Sequence, residues 1–413
     1  MAKHAHNDKQ RGNRSAGGVG GLLNSAKASQ LVTGADSLAI GWASNAPWAA
    51  TGYGTQTAQV TSRLSEEGHK VAIFSNYGLE GANTIWKAQN GQEIDVFQRG
   101  TELYSNDVTP AHMAYWITKN KLDSHVLFTL YDVWVYKNPA FDQFNVASWC
   151  RKPNVTPIAM SQFGQQMLEN VGIECLYIPH AIEKVFKPTD SFNGVNGRAS
   201  IGVDDSKFVV GMNAANKGVS PNRKAFGENL LAFAMFAQKH DDVVLYMHTD
   251  SMGALGGIKL TDLVDSVGIP REKVMFVDPY EYRMGIEQGH VAALYTAMDV
   301  LLATSYGEGF GVPTIEAQAC GTPVILSDFA ASTEVLGDGW LVEGQLLWDA
   351  PQTSFFTVPS VPGIIEALEA AYQRGRGRSV KAIEFASAYD ADRVFEKSWK
   401  PALKILAEKG LQA

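Results

Sequence analysis

Short apolar runs alternate with segments of helical spacing along most of this chain, and that alternation limits its possible folds more than any other feature. SLAIGWAS (residues 37–44), HKVAIFSNYG, DSHVLFTLYD, NVTPIAMS and CLYIPH form a first series; KFVVGMN, VVLYMHT, KVMFV, DVLLATS and TPVILSD form a second. Within each run the apolar residues are nearly continuous rather than alternating, as in strands buried on both faces of a parallel sheet. Parallel neighbours need a crossover, and helical segments stand where crossovers belong. TQTAQVTSRLSEEG, for example, places Val60 and Leu64 inward and is followed by Gly68 at the position that closes a helix. Strand, glycine loop, helix, strand is the opening unit of a doubly wound sheet.

The two series are separated by PTDSFNGVNGRASIGVDDS, which carries turn residues without period and reads as a connection between domains. The chain is therefore expected to be α/β, with two Rossmann-like domains facing a central cleft. The first spans residues 36–190 and the second 205–388. Residues 1–35 are rich in Gly, Ser, Asn, Lys and Arg with no hydrophobic period, and read as a disordered tail.

Composition excludes several function classes. Thirty-five Lys and Arg against 43 Asp and Glu leave a net charge of −8, which argues against broad nucleic-acid binding. The 3 cysteines (Cys150, Cys175, Cys320) are widely spaced and suggest neither a disulfide framework nor a zinc site. No apolar run approaches the ~18–20 residues of a membrane span, so no stable membrane insertion is expected. The basic N-terminus lacks the apolar core of a secretory signal, and the expected location is cytoplasmic.

The chemistry concentrates in ATSYGEGFGVPTIEAQACGTPVILSD, residues 303–328. A strand ends at Ser305, a glycine-flanked turn follows over residues 307–311, and Pro313 sits in the first turn of the next helix, where its missing N–H costs nothing. The amides of Gly309, Phe310 and Gly311 then lie at a helix N-terminus, a ready anion site. Glu308 precedes the helix and Glu316 lies a turn inside it; ionised carboxylates are acceptors only and suit vicinal hydroxyls. An anion cradle with two hydroxyl clamps describes a nucleotide-sugar site. A Gly-x-Gly turn before a helix is also a common structural element, and spacing alone leaves both readings open.

The stretch EGFGVPTIEAQACGTPVI resembles the paired-glutamate signature of retaining glycosyltransferases of family 4, a GT-B family. GHKVAIFSNYG, SQFGQQMLENVGIECLYIPHAIEKVFKP, LYTAMDVLLATS and STEVLGDGWLVE resemble further segments of that family in the same order, covering roughly residues 40–399. The resemblance implies that Glu308 contacts the transferred sugar and Glu316 the nucleotide ribose. Gly309, Phe310 and Gly311 would hold sugar or phosphate, and Gly52 and Gly54 of TGYGT would approach the donor phosphates from the first domain. The C-terminal helix, residues 389–413, would pack back on the first domain.

At one place the sequence departs from the pattern. Met212 stands where the family has a diphosphate-binding Arg, although Lys217 keeps the Lys position. Arg223 and Lys224 supply positive charge a few residues on, and a departing diphosphate needs it. Ala181 and Glu183 also replace the family's usual Gly and Asp.

The implied activity is metal-independent transfer of a sugar, with retention, from a nucleoside diphosphate sugar to a hydroxyl acceptor. Glu308, Lys217 and Arg223 would be the catalytic residues, Lys224 a donor-binding one, and no cofactor or metal would be needed. A GT-B epimerase or phosphorylase, or an inactive nucleotide-sugar-binding homologue, is the alternative. Asp132 and His180, at strand ends of the first domain, are the acceptor-side candidates. The aromatics Trp42, Trp48, Tyr53, Tyr131, Trp134 and Tyr136 leave a glycan, a modified nucleobase or a protein as acceptor. Asp390 and Asp392 read as a helix N-cap rather than a metal motif.

Overall fold

The computed structural model describes residues 37–131, 135, 137–148 and 155–410. The expected tail, Asp132, Trp134, Tyr136 and Cys150 lie outside the described residues. Two sheets organise the rest. The first contains β1 (Ala39–Ser44), β2 (Lys70–Ser75), β3 (Thr84–Lys87), β4 (Glu93–Phe97), β5 (His125–Thr129), β6 (Val146–Ser148), β7 (Val155–Ala159) and β8 (Leu176–Tyr177), in the order β3-β4-β2-β1-β5-β6-β7-β8. All neighbours are parallel except β3 and β4. Helices α1 (Gly52–Glu66), α2 (Thr109–Asn120) and α3 (Gln162–Glu169) serve this lobe.

Every residue of β1 is buried, as a continuous apolar run between two helix layers requires. Gly41 is needed there because a Cβ would stand 2.6 Å from both Met113 Sδ and Phe74 Cε2. Helix α1 starts three residues before the periodic pattern does. Thr51, in extended backbone, caps it by accepting from the amide of Gly54 at 3.0 Å, so Gly52 and Gly54 form the first helical turn and not a free loop. Gly68, at φ +91°, closes it as the sequence suggests.

The second sheet is wholly parallel. Its strands are β9 (Phe208–Asn213), β10 (Val243–His248), β11 (Val274–Phe276), β12 (Val300–Ala303), β13 (Val324–Ser327) and β14 (Gly339–Val342), in the order β11-β10-β9-β12-β13-β14. Its helices include α4 (Phe226–Ala237), α5 (Gln288–Ala297), α6 (Val312–Ala319) and α7 (Val361–Arg374). An antiparallel hairpin absent from the sequence reading, β15 (Gly344–Asp349) with β16 (Ser354–Pro359), is appended. Strand order reverses between β1 and β5 in one lobe and between β9 and β12 in the other, and ligands bind at such switch points beyond the strand C-termini.

After α7 the chain returns to the first lobe, ending in α8 (Lys400–Gly410). Trp399, Leu403 and Leu406 join the core of Trp42, Leu64 and Phe128, with the Trp399 ring 5.8 Å from Trp42 and 5.5 Å from Phe128. A buried Trp removes ~150–250 Å² from water, on the order of 4–6 kcal/mol at ~25 cal/mol/Å², so this return is core and not decoration. Arg63 of α1 ties it down through Asp392 at 2.8 Å, the guanidinium being held as well by two bonds to Glu183 at 2.8 and 2.9 Å. Asp390 accepts from the amides of Asp392 and Arg393, the helix cap read from the sequence. Among the described residues no helix is long and apolar enough to cross a membrane.

Candidate active site

The glycine turn follows β12, on one side of the second lobe's switch point. Gly311 adopts φ +103°, a left-handed conformation that strains any side chain, and starts α6 with Pro313 in its first turn. The amides of the turn therefore sit at a helix N-terminus, as the sequence reading proposes.

Arg223 and Lys224 approach this turn from the segment before α4. The buried Asn229 of α4 ties that helix to the end of β12: its Oδ1 accepts from Thr304 Oγ1 at 2.5 Å, and its Nδ2 donates to Thr304 O at 3.3 Å. Tyr306 stitches the loops together, its amide donating to Arg223 O at 2.8 Å and its hydroxyl to Glu228 Oε1 at 2.7 Å. The result is a three-residue charge cluster. Glu308 Oε2 accepts from Arg223 at 2.9 Å and Oε1 from Lys224 Nζ at 2.5 Å, while Arg223 also donates to Gly307 O.

Glu308 retains only 15% side-chain exposure. Burial pushes its carboxyl upward, but Lys224 and Arg223 outweigh burial and hold it at about 2. It is an ionised acceptor at neutral pH and no proton donor. Burial draws the Lys224 ammonium below its ordinary range, with Glu308 opposing.

Lys217 is exposed and in no ion pair among the described residues; its loop is anchored by buried Asn216, which donates to Asp250 O at 2.8 Å and Ile258 O at 2.7 Å. Met212, where a diphosphate-binding Arg was the family expectation, is buried in the core with Phe226 and Leu230. Positive charge at the turn comes from residues 223 and 224.

Glu316 lies in α6, and its Oε2 accepts from the hydroxyl of Tyr295 at 2.9 Å; that hydroxyl accepts from Asn213 Nδ2 at 2.6 Å. Burial raises Glu316 to about 7, with the Tyr295 bond working against the rise. Sequence reasoning missed Asn213 and Tyr295. Both stand at signal positions, the polar end of β9 and the C-terminal half of α5, but nothing in the sequence pairs them with Glu316.

The first lobe closes over this turn. A Cβ at Gly309 would lie 3.3 Å from Met160 Sδ, and Phe310 packs edge-on against the His180 ring, 5.5 Å between centroids. His180 is 9% exposed, and burial lowers it to about 4, so it is neutral at pH 7. Glu334 of the second lobe caps α3 of the first, accepting from the amides of Gln162 at 2.9 Å and Phe163 at 2.8 Å. Gly54 cannot bear a side chain: its Cβ would meet Ala49 O at 2.2 Å, whereas Gly52 has nothing within 4 Å. Of the aromatics considered for the acceptor, Trp42 and Tyr131 belong to the core, and Trp48 alone of the described set is exposed, at 44%.

Residues 215–355 match the model of the family described as glycosyl transferases group 1. D-inositol 3-phosphate glycosyltransferase of Mycolicibacterium gilvum is 31% identical over 150 residues, covering 36% of this chain and 30% of that protein. The enzyme of the same name from Streptomyces scabiei is 28% identical over 144 residues, 33% and 32% of the two chains. The chain thus spans about a third of the length of these relatives. Sucrose-phosphate synthase from Thermosynechococcus elongatus superposes over 90% of this chain and 100% of its own, with a TM-score of 0.68 and 18% identity. Anabaena HepE, solved in complex with UDP-glucose, superposes over 88% and 99%, with a TM-score of 0.60 and 16% identity. The two-lobed α/β architecture is the GT-B fold.

Proposed function

We propose that the protein is a glycosyltransferase that moves a sugar from a nucleoside diphosphate sugar to a hydroxyl acceptor with retention of configuration. The observation that carries the reading is the Arg223–Glu308–Lys224 cluster at the N-terminus of α6, beside the switch point. Two cations against one carboxylate leave a net positive charge next to free helix amides, the environment a departing diphosphate requires. The match of residues 215–355 to glycosyl transferases group 1, and the partial likeness of the chain to two D-inositol 3-phosphate glycosyltransferases, support it.

In this account Glu308, ionised and acceptor-only, receives hydrogen bonds from sugar hydroxyls and fixes the anomeric carbon at the cleft. Glu316 receives the ribose hydroxyls. Arg223 and Lys224 stabilise the leaving diphosphate, with Lys217 on the exposed loop free to swing toward it. The acceptor attacks from the side the leaving group vacates, and a donor phosphate oxygen takes its proton, so no protein nucleophile is assigned. Charge compensation by side chains and helix amides makes the reaction independent of a metal. His180, neutral and packed on Phe310, borders the acceptor side; Gly52 leaves open space at the start of α1 for the donor phosphates. The epimerase, phosphorylase and silent-binder alternatives have no observation of their own in their favour.

The test is transfer itself, with nucleoside diphosphate sugars and hydroxyl acceptors read by mass spectrometry. Glu308→Ala is expected to abolish product while circular dichroism stays native. Undiminished turnover in that variant refutes the assignment.

A further inference from the structure

Glu316 is not an isolated carboxylate. Its Oε2 is the end of a chain of three groups drawn from three elements: Asn213 at the end of β9, Tyr295 in α5, and Glu316 in α6. Proton bookkeeping fixes the direction. The Asn213 Nδ2 group only donates, so the tyrosine oxygen accepts from it and the single Tyr295 proton goes to Glu316 Oε2. The tyrosine is immobilised. It is fully buried, its ring packs 6.3 Å from Phe186, and its carbonyl accepts from Thr322 Oγ1 at 2.6 Å. Glu316 Oε1 has no hydrogen-bond partner among the described residues.

We infer that Tyr295 and Asn213 are positioning residues for the ribose of the donor, acting through Glu316. The inference rests on the reading that Glu316 holds the ribose hydroxyls. One carboxylate oxygen is occupied by a fixed phenol, so the carboxylate plane is set and the other oxygen is presented to the ligand. The tyrosine bond has a second effect. Burial alone favours the protonated acid, which offers a poorer acceptor to a diol, and the phenol proton favours the carboxylate. Tyr295 itself stays protonated, since burial and Glu316 both push its ionisation far above neutrality. Strand and helices thus meet at the Tyr295 hydroxyl; removing that hydroxyl takes away the hydrogen bond that orients Glu316, while removing Asn213 loosens it only indirectly.

The experiment is calorimetric titration of the full chain with UDP, ADP and GDP, followed by the 2′,3′-dideoxy form of whichever binds best. The wild type is expected to prefer the ribonucleotide by about tenfold or more, the value of hydrogen bonds to a charged group. Tyr295→Phe is expected to lose about tenfold of affinity for the ribonucleotide and none for the dideoxy form, with the donor KM rising and kcat within about twofold. Asn213→Ala, at a half-buried position where folding is less at stake, shifts the same ratio in the same direction by a smaller factor. Equal weakening of both nucleotides, or no change in either variant, overturns the inference while leaving the donor site intact. A wild type that binds no nucleoside diphosphate overturns the donor reading and this inference with it.

Discussion

Lys224→Met is the most informative single perturbation, because it removes the nearer cation from a carboxylate that is mostly shielded from water. Lys224 Nζ stands 2.5 Å from Glu308 Oε1, and the two side chains are 19% and 15% exposed. In the fold Glu308 titrates at about 2 instead of 4.5. At about 1.4 kcal/mol per pH unit, that difference is on the order of 3 kcal/mol of stability at neutral pH, shared between Lys224 and the more exposed Arg223. The sign follows from the depressed value: the contribution is complete above pH 4.5 and disappears as pH falls toward 2. Loss of Lys224 is therefore expected to cost ~1–3 kcal/mol at pH 7, the charge left by Arg223 accounting for the lower bound. The cost should shrink at pH 3.

Urea unfolding of wild type and variant at both pH values measures this. The double variant Lys224→Met, Glu308→Gln should recover much of the loss, since it leaves no uncompensated carboxylate. A penalty equal at pH 7 and pH 3, or absent from both, refutes the cluster's electrostatics. Turnover should also fall by ~10²–10³, the usual price of one preorganised donor to a developing anion.

Other consequences can be checked alongside. Gly54→Ala forces a Cβ onto Ala49 O and should destabilise the first lobe by ~1–3 kcal/mol by denaturant midpoint, whereas Gly52→Ala should leave stability within ~0.5 kcal/mol and weaken donor binding. Unchanged donor affinity in Gly52→Ala removes that turn from the phosphate site. Glu334→Ala breaks the carboxylate cap that joins the lobes, and small-angle scattering should show a larger radius of gyration; an identical scattering curve contradicts a role in holding the cleft. Excess chelator should leave transfer unchanged, and loss of activity that Mg²⁺ or Mn²⁺ restores argues against charge compensation by side chains alone.

Much of this architecture is legible in the chain because parallel strands buried on both faces announce themselves as short continuous apolar runs. SLAIGWAS, KFVVGMN and DVLLATS each became a strand flanking a switch point, and the glycine turn after DVLLATS became a helix N-terminus. Local signals also located the α6 start, through Gly311 and Pro313, and the Asp390 cap. What could not be read is pairing over long separations. Glu308 meets Arg223 and Lys224 across 85 and 84 positions, and Glu316 meets Tyr295 across 21, contacts created by strand order and not by spacing. The faces of aromatics were equally hidden: Trp42 lies in an all-buried strand with Trp399 against it, so its size says nothing about the cleft. The β15–β16 hairpin was missed because the strand pattern of its residues is embedded in a stretch where helices and strands were expected to alternate singly.

A crystal structure of the protein soaked with a nucleoside diphosphate tests the central claim most directly. The account predicts phosphates against Arg223, Lys224 and the amides of Gly309 to Gly311, with the ribose at Glu316. A nucleotide seated anywhere else, or against Glu308 with Arg223 and Lys224 both turned away, contradicts it.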